Sequence, residues 1–193
     1  MNSSPLTVVG IAGSLRRASY NRGLIRAAAD VAPEGILVVP HELVDLPMYN
    51  ADVEARGDPE PVRRFKEAIA AADALLIATP EYNHCVPGVL KNAIDWASRP
   101  PRHAALTNKP IAIMGASTSG GGTARAQAHL RDGLAYTGGL VMPLPEVLVP
   151  LAASRFDDAG NLIDEDTRVA VHELLVSLAD WVRELREGFR RAA

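Results

Sequence analysis

Short runs of consecutive apolar residues alternate with longer segments in which apolar residues recur every three or four positions. Runs rich in Val, Ile, Leu and Ala predict five strands, at residues 6–12, 35–40, 74–78, 110–115 and 140–144. These runs lack the polar alternation of a strand with one solvated face, so we expect both faces of the sheet to be covered. The pattern therefore predicts a parallel sheet that is buried between two layers of helices.

Helical periodicity separates the predicted strands. One helix is expected to begin at Asp58-Pro59, because proline is favoured at the first helical position. The last helix starts with three acidic residues, 164–166, and ends with basic Arg190 and Arg191, an order that complements the helix dipole. Residues 45–60 are expected to form a loop. Strands that alternate with helices predict a doubly wound α/β fold with right-handed crossovers.

Length and composition limit the functions that the chain can have. The chain of 193 residues, 48% of them hydrophobic, is expected to form one domain over residues 1–193. A net charge of -3 argues against nucleic acid or an anionic membrane as the main partner. The single cysteine, Cys85, excludes an intrachain disulfide and fits a cytoplasmic protein. Prolines interrupt the most apolar later stretch, 140–153, so no membrane span is expected.

The most distinctive polar segment is the first loop, residues 13–21, which follows the first predicted strand and leads into a helix. Residues 1–29 carry four arginines and no Asp or Glu. A helix start offers unpaired N–H groups and a partial positive charge. Ser14, Ser19 and Asn21 can donate hydrogen bonds, and Arg16 can fork onto two oxygens. The loop therefore predicts a phosphate site, a role compatible with helix capping by Ser19 or Asn21.

Two further loops are expected at the same edge of the sheet. The second loop, 79–88, follows the third strand, and the third loop, 116–122, follows the fourth. The carboxyl ends of these strands adjoin that of the first strand in a doubly wound sheet. The second loop offers a flat Tyr82 beside a rigid proline, and the small, glycine-rich third loop lets backbone approach a planar ring. A phosphate site beside a site for a planar heterocycle describes flavin mononucleotide (FMN).

Two long motifs in these loops resemble those of the NADPH-dependent FMN reductase family, which includes bacterial chromate, quinone and azo-dye reductases. The motifs are Gly13-Ser14-Leu15-Arg16-x-x-Ser19-x-Asn21 and Pro80-Glu81-Tyr82-Asn83-His84-x-x-Pro87-Gly88-x-Leu90-Lys91-Asn92-Ala93-Ile94-Asp95-Trp96. The resemblance implies a flavodoxin-like five-stranded parallel sheet of order 2-1-3-4-5. It also implies non-covalent FMN, NADPH or NADH as cosubstrate, and a homodimer or homotetramer.

The resemblance also implies which residues bind the flavin. The phosphate side would use Ser14, Leu15, Arg16, Ser19, Tyr20 and Asn21. The ring side would use Pro80, Glu81, Tyr82 and Asn83, with Ser117 and Gly120 closing the other side. No catalytic side chain is expected, because the flavin carries the chemistry. No metal site is expected, because the histidines are scattered without metal-ligand spacing. Cys85 is a departure, since Gly, Ser or Tyr is expected there.

The predicted function is an FMN-dependent NAD(P)H oxidoreductase. In a ping-pong cycle, hydride would pass from NAD(P)H through FMN to a quinone, an azo compound or a metal oxyanion such as chromate. The alternative is a flavodoxin-type electron carrier that binds FMN without oxidising NAD(P)H. A Rossmann dehydrogenase is disfavoured because the first loop lacks Gly-x-Gly-x-x-Gly.

Several assignments stay open at this point. Glu81 either lines the ring or caps the helix that follows it. Arg125 either pairs with Glu146, within the chain or across a subunit interface, or both are separate surface charges. Arg102 and Arg125 are candidates for contact with the 2′-phosphate of NADPH. His84 and Cys85 are not expected to form a catalytic pair, because neighbours in sequence often point apart.

Overall fold

The structure is a computed structural model that describes residues 5–101 and 103–192. Its six strands are β1 (Leu6–Ala12), β2 (Ile36–His41), β3 (Ala74–Ala78), β4 (Pro110–Ala116), β5 (Leu140–Val141) and β6 (Val147–Val149). Its helices are α1 (Tyr20–Asp30), α2 (Ala51–Glu54), α3 (Glu60–Ala71), α4 (Gly88–Ala97), α5 (Ala124–Tyr136) and α6 (Glu165–Ala192). A short 3-10 turn, Ala152–Ser154, precedes α6.

All strand pairs are parallel, and the sheet has the order β2-β1-β3-β4-β5. Val8 of β1 lies between Val38 of β2 and Ala74 of β3, and Ile77 of β3 lies beside Ile113 of β4. This is the strand order of flavodoxin-like folds, so the predicted architecture is confirmed. The order places the carboxyl ends of β1, β3 and β4 side by side.

The two faces of the sheet bury separate apolar cores. On one face, α1 and α6 pack against Val8, Leu76 and Met114. On the other face, α3, α4 and α5 pack against strand residues that include Leu75 and Ile77. Adjacent strand residues thus enter opposite cores, which explains why the strands read as continuous apolar runs in the sequence.

The predicted fifth strand, 140–144, is shortened to two residues, and a separate strand follows it. Only Leu140 and Val141 pair with the start of β4, and the unpredicted β6 pairs with its end through Val147–Val149. Pro143 and Pro145 lie between the two pieces, and proline has no N–H to donate to a ladder. The chain therefore leaves the sheet at the prolines and returns to cover the far end of β4.

The segment predicted as a loop, 45–60, contains the short helix α2. The Asn50 side chain accepts a hydrogen bond from the Asp52 N–H at 2.8 Å and caps this helix. The next helix begins at Glu60, one residue later than the predicted proline start, with Pro59 as its N-cap residue. Asp58 instead forms an ion pair with Lys66 at 2.7 Å.

The amino-terminal edge of the sheet is closed by a network of charged and backbone groups. The Thr7 N–H donates to Asp73 Oδ2 at 2.7 Å, the Asp73 N–H returns a bond to the Thr7 carbonyl at 2.8 Å, and Arg186 of α6 donates to Asp73 Oδ1. Lys109 Nζ donates to the carbonyls of Ala70 and Ala72 at the end of α3. Burial lowers the pKa of Lys109.

No helix in the described part of the chain is both long enough and apolar enough to cross a membrane.

Candidate active site

The three loops singled out in the sequence meet at the carboxyl edge of the sheet. The Gly13 N–H donates to the Ala78 carbonyl at 2.9 Å, which joins the first loop to the end of β3. A side chain on Gly13 would place its Cβ 3.1 Å from Pro80 Cδ, so the first and second loops are in close contact. The Thr79 N–H donates to the Met114 carbonyl at 2.9 Å and joins the second loop to β4. The expected neighbourhood of the three loops is therefore confirmed.

The first loop presents a row of unpaired donors. Among the residues that the structure describes, no protein acceptor takes a hydrogen bond from the N–H groups of residues 14–18. Ser19 is the buried N-cap of α1, and its hydroxyl accepts from the Arg22 N–H at 3.4 Å. Ser14 is buried beside it. Free N–H groups at a helix start form an anion site, and the geometry fits a phosphate group.

Arg16 and Tyr20 are stacked at this loop. The guanidinium carbon of Arg16 lies 5.1 Å from the centre of the Tyr20 ring, and that ring lies 4.9 Å from the Phe156 ring. A guanidinium over an aromatic face is held in place while its N–H groups stay free to donate. The Arg16 guanidinium thus has a defined position next to the unpaired N–H groups. Leu15, its neighbour in sequence, is half exposed.

Asn21 has a structural role in addition to its predicted one. Its Nδ2 donates to the Ala116 carbonyl at 2.9 Å, and its Oδ1 accepts from the Ala116 N–H at 3.0 Å. The side chain is buried, and these two bonds satisfy the backbone at the end of β4. Asn21 therefore ties α1 to the start of the third loop, and its predicted contact with the phosphate stays a prediction.

The second loop contains a tight turn. The Tyr82 N–H donates to the Cys85 carbonyl at 3.2 Å, and the Cys85 N–H returns a bond to Tyr82 at 3.0 Å. Asn83 and His84 between them have φ angles of 52° and 60°, in the left-handed region. The turn leaves 53% of Tyr82 exposed. An exposed aromatic side chain beside the rigid Pro80 suits stacking against a flat ligand.

The third loop is open above its glycines. A Cβ built on Gly120 or Gly121 has no neighbouring atom within 4 Å, whereas one on Gly115 would lie 2.3 Å from the Thr79 carbonyl oxygen. Ser117 and Ser119 share a hydroxyl contact of 3.1 Å, and the Ser117 N–H is held by the Val149 carbonyl of β6. The backbone at Ser117 is therefore held by β6, and the space above Gly120 and Gly121 is open.

Glu81 caps a helix, but not the one that follows it. Its Oε2 accepts from the N–H groups of Arg125 and Ala126 at 3.0 Å each, at the start of α5. The alternative of a cap on α4 is wrong, because the carboxylate accepts from N–H groups at the start of α5 instead. A carboxylate at a helix start is favoured by the free N–H groups and by the helix dipole. This bond holds the second loop against α5.

The predicted Arg125–Glu146 pair is wrong within one chain. Glu146 is 48% exposed and lies 3.7 Å from Arg131 Nη2, so it is not a buried acid that needs Arg125. Arg125 Nη1 instead lies 2.6 Å from His84 Nε2. Nothing in the sequence indicates this contact, because 41 positions separate the two residues and no motif links them. Arg102, the other candidate for a phosphate contact, lies outside the described residues.

A comparison with family models decides the family. The model for NADPH-dependent FMN reductases matches residues 6–154, which include all three loops. The chain belongs to this family. It therefore has FMN as its cofactor and is an NAD(P)H-dependent oxidoreductase, so the predicted activity and cofactors are confirmed. The alternative of an electron carrier without NAD(P)H oxidation loses its support.

Relatives within this family cover nearly the whole chain. An NAD(P)H-dependent FMN reductase of Pseudomonas aeruginosa is 47% identical, over 95% of this chain and 99% of that protein. A 2-hydroxy-1,4-benzoquinone reductase of a Burkholderia species is 44% identical, over 94% and 98%. Among solved structures, the flavoenzyme FerB, an NAD(P)H:(acceptor) oxidoreductase of Paracoccus denitrificans, is 36% identical, with a TM-score of 0.82 over 93% and 98%.

Proposed function

We propose that the chain is an FMN-dependent NAD(P)H:quinone oxidoreductase. The observation that carries the proposal is the first loop. Among the described residues, its N–H groups at residues 14–18 have no protein acceptor, and they lie beside the open space above Gly120 and Gly121 of the third loop. The named activity of the Burkholderia relative supports a quinone as the electron acceptor. Azo compounds and metal oxyanions stay acceptors predicted from the sequence.

The flavin phosphate would bind at the first loop. The N–H groups of residues 14–18 would donate to its oxygens, together with the Ser14 and Ser19 hydroxyls. Arg16 would add charge-assisted hydrogen bonds from its position over the Tyr20 ring. Leu15 would supply apolar contact at the rim of the site.

The ring would lie along the second and third loops. Pro80, Tyr82 and Asn83 would contact one side, and Ser117 and Gly120 the other. Glu81 would hold the second loop in position for the ring, since its carboxylate already accepts two hydrogen bonds at the start of α5. Bound FMN would supply the two-electron redox chemistry that no side chain of this site can perform. The protein's part is to hold the ring while leaving room for NAD(P)H and then for the acceptor.

The test is spectroscopic and kinetic. The purified protein should carry a yellow flavin band, or gain one on addition of FMN, and NAD(P)H should bleach that band in the absence of oxygen. With benzoquinone as acceptor, double-reciprocal plots at several NAD(P)H concentrations should be parallel, as a ping-pong order requires. Intersecting lines would contradict the order, and a protein that neither binds FMN nor passes electrons to a quinone would contradict the proposed function.

We also propose that the chain forms a homodimer or homotetramer. A groove of about 590 Å³ lies between α4 and α5, and its apolar side chains include Val86, Ile94 and Leu130. Tyr136 at its edge is 94% exposed. Because an exposed apolar groove of this kind favours association, we expect a second copy of the chain to cover it. Tyr136→Glu should then lower the mass measured by light scattering, and a wild-type monomer at micromolar concentration would contradict the proposal.

Residues 1–193 are proposed to act as one flavin-binding domain, because both apolar cores lie on the faces of one sheet. A cytoplasmic location is proposed from the exposed free thiol of Cys85, which a reducing compartment preserves.

A further inference from the structure

We propose that a hairpin formed by residues 156–162 positions the first loop for the flavin phosphate, with Phe156 and Gly160 as its positioning residues. The inference rests on the proposed binding of the FMN phosphate at the first loop. The hairpin lies just before α6, far from the first loop along the chain, and none of the residues predicted to bind the flavin belongs to it. It acts on the phosphate through residues of the first loop and α1.

The 156–162 hairpin is held together by its own hydrogen bonds. Phe156 and Leu162 pair across it as an antiparallel bridge, and the Asp157 N–H donates to the Asn161 carbonyl at 2.9 Å. The Asp157 carboxylate accepts from the Asn161 N–H at 2.7 Å and from the Asn161 side-chain amide at 3.0 Å. Gly160 has a φ of 78°, which glycine adopts without strain. The hairpin is therefore a defined surface against which another segment can pack.

Gly160 packs directly against the backbone of the first loop. A Cβ on Gly160 would lie 2.8 Å from the carbonyl carbon of Ala18 and 3.0 Å from its Cα. Ala18 belongs to the segment whose N–H groups have no protein acceptor among the described residues. A Cβ on Gly23 of α1 would overlap the Gly160 carbonyl oxygen, which also accepts from Arg26 Nη2 at 2.8 Å. The contact therefore joins backbone to backbone and leaves no room for a methyl group.

Phe156 supports the Arg16 side chain through Tyr20. The Phe156 and Tyr20 rings lie 4.9 Å apart between their centres, and the Arg16 guanidinium carbon lies 5.1 Å from the centre of the Tyr20 ring. Phe156 is only 4% exposed and belongs to the core that α1 and α6 share. A buried aromatic neighbour restricts the half-buried Tyr20 ring, and the stacked guanidinium is restricted in turn. Arg16 therefore loses less conformational freedom when it binds a phosphate.

The test compares FMN with riboflavin, which has the same ring system and lacks the phosphate. Phe156→Leu should raise the Kd for FMN about threefold to tenfold, the range expected for loss of an aromatic contact. The Kd for riboflavin should change by less than about twofold. Fluorescence titration of the folded FMN-free protein measures both values. A residue that only fills the core would change the two affinities alike.

Phe65→Leu is the matched control. Phe65 is also a buried phenylalanine, but it lies on α3 in the core on the opposite face of the sheet. The same exchange there removes the same number of atoms from a core that has no contact with Tyr20. Both flavin affinities should therefore stay unchanged in this variant.

Double variants separate the two contacts. In an Arg16→Ala background, Phe156→Leu should change the Kd for FMN by less than about twofold, because its effect passes through Arg16. Gly160→Ala should raise the Kd for FMN by at least about threefold in either background, because its Cβ displaces the Ala18 backbone. If Gly160→Ala does not fold, the Phe156→Leu series tests the proposal by itself.

Three results would overturn the proposal. They are an unchanged Kd for FMN in Phe156→Leu or in folded Gly160→Ala, equal losses of FMN and riboflavin affinity, and a full loss from Phe156→Leu in the Arg16→Ala background. The proposed function fails separately, if the wild type binds no flavin or passes no electrons to a quinone. A wild type that binds riboflavin as tightly as FMN would refute the phosphate site itself.

Discussion

The two ends of the sheet differ in whether their polar groups are paired within the chain. At the amino-terminal edge, Asp73 accepts from Thr7 and Arg186, and Lys109 donates to two carbonyls that end α3. At the carboxyl edge, the N–H groups of residues 14–18 find no acceptor among the described residues. One edge satisfies its donors and acceptors within the chain, whereas the other leaves donors free beside a stacked arginine.

The difference separates residues that stabilise the fold from residues that bind. Buried polar groups need partners within the chain, whereas N–H groups at an exposed loop can bind water until a ligand replaces it. Asn21 belongs to both groups, because it holds the end of β4 while it lies inside the first loop. The comparison therefore predicts three classes of variant, which lose binding, stability or both.

The largest effect is expected for Asn21→Ala, which should lose both. The variant leaves the N–H and carbonyl of Ala116 without partners in a buried site, which should lower the free energy of unfolding by about 2 to 4 kcal/mol. FMN affinity should also fall, because the first and third loops are no longer tied together. Urea unfolding and flavin titration measure the two effects. Asn50→Ala, which removes an exposed cap, should cost less than about 1 kcal/mol and leave FMN affinity unchanged.

Arg16→Ala should lose binding alone. Removal of a charge-assisted bond worth about 1.5 to 3 kcal/mol should weaken FMN binding about tenfold to a few hundredfold. Stability of the FMN-free protein should stay within about 0.5 kcal/mol, because Arg16 is exposed. Fluorescence titration with FMN measures the change, and the adjacent Arg17→Ala is the matched control. Unchanged affinity in Arg16→Ala would refute its assignment to the phosphate.

Lys109→Ala should lose stability alone. The carbonyls of Ala70 and Ala72 would lose their donor at the end of α3, at a cost of about 1 to 3 kcal/mol. Flavin affinity of the folded protein should be unaffected, because Lys109 lies at the opposite edge of the sheet. Denaturant unfolding with and without FMN separates the two quantities, and Arg183→Ala on the surface of α6 is the control. A loss of flavin affinity equal to that of Arg16→Ala would break the contrast between the edges.

The smallest effect is expected from acidification at His41. Burial, reinforced by Arg64, lowers the pKa of His41 below its ordinary value of 6.5. The unfolded chain then binds the proton more readily than the folded one, so stability falls as pH drops below about 6.5 and levels off below the lowered pKa. Melting temperatures of the wild type and His41→Gln at pH 8 and pH 5 should show a larger decrease in the wild type. An equal decrease would exclude a contribution from His41.

The sequence predicted the layers of the fold because burial on both faces leaves a direct mark on strand composition. The runs that became β1, β3 and β4 lie within one residue of their predicted bounds. The fifth strand was mispredicted because apolar composition continues through Pro143 and Pro145, where the missing N–H groups divide the ladder. Apolar composition therefore predicted the strand bounds correctly where burial alone determined them.

The three loops were identified from the sequence because their chemistry is local: hydroxyls, an arginine, glycines and a proline close to the ends of strands. Tertiary structure alone decided which of those side chains stay free. Asn21 is committed to Ala116, Glu81 to the start of α5, and Arg125 to His84. Such partners lie 40 or more positions apart along the chain, and their choice depends on how the strands and helices pack, which no local pattern records.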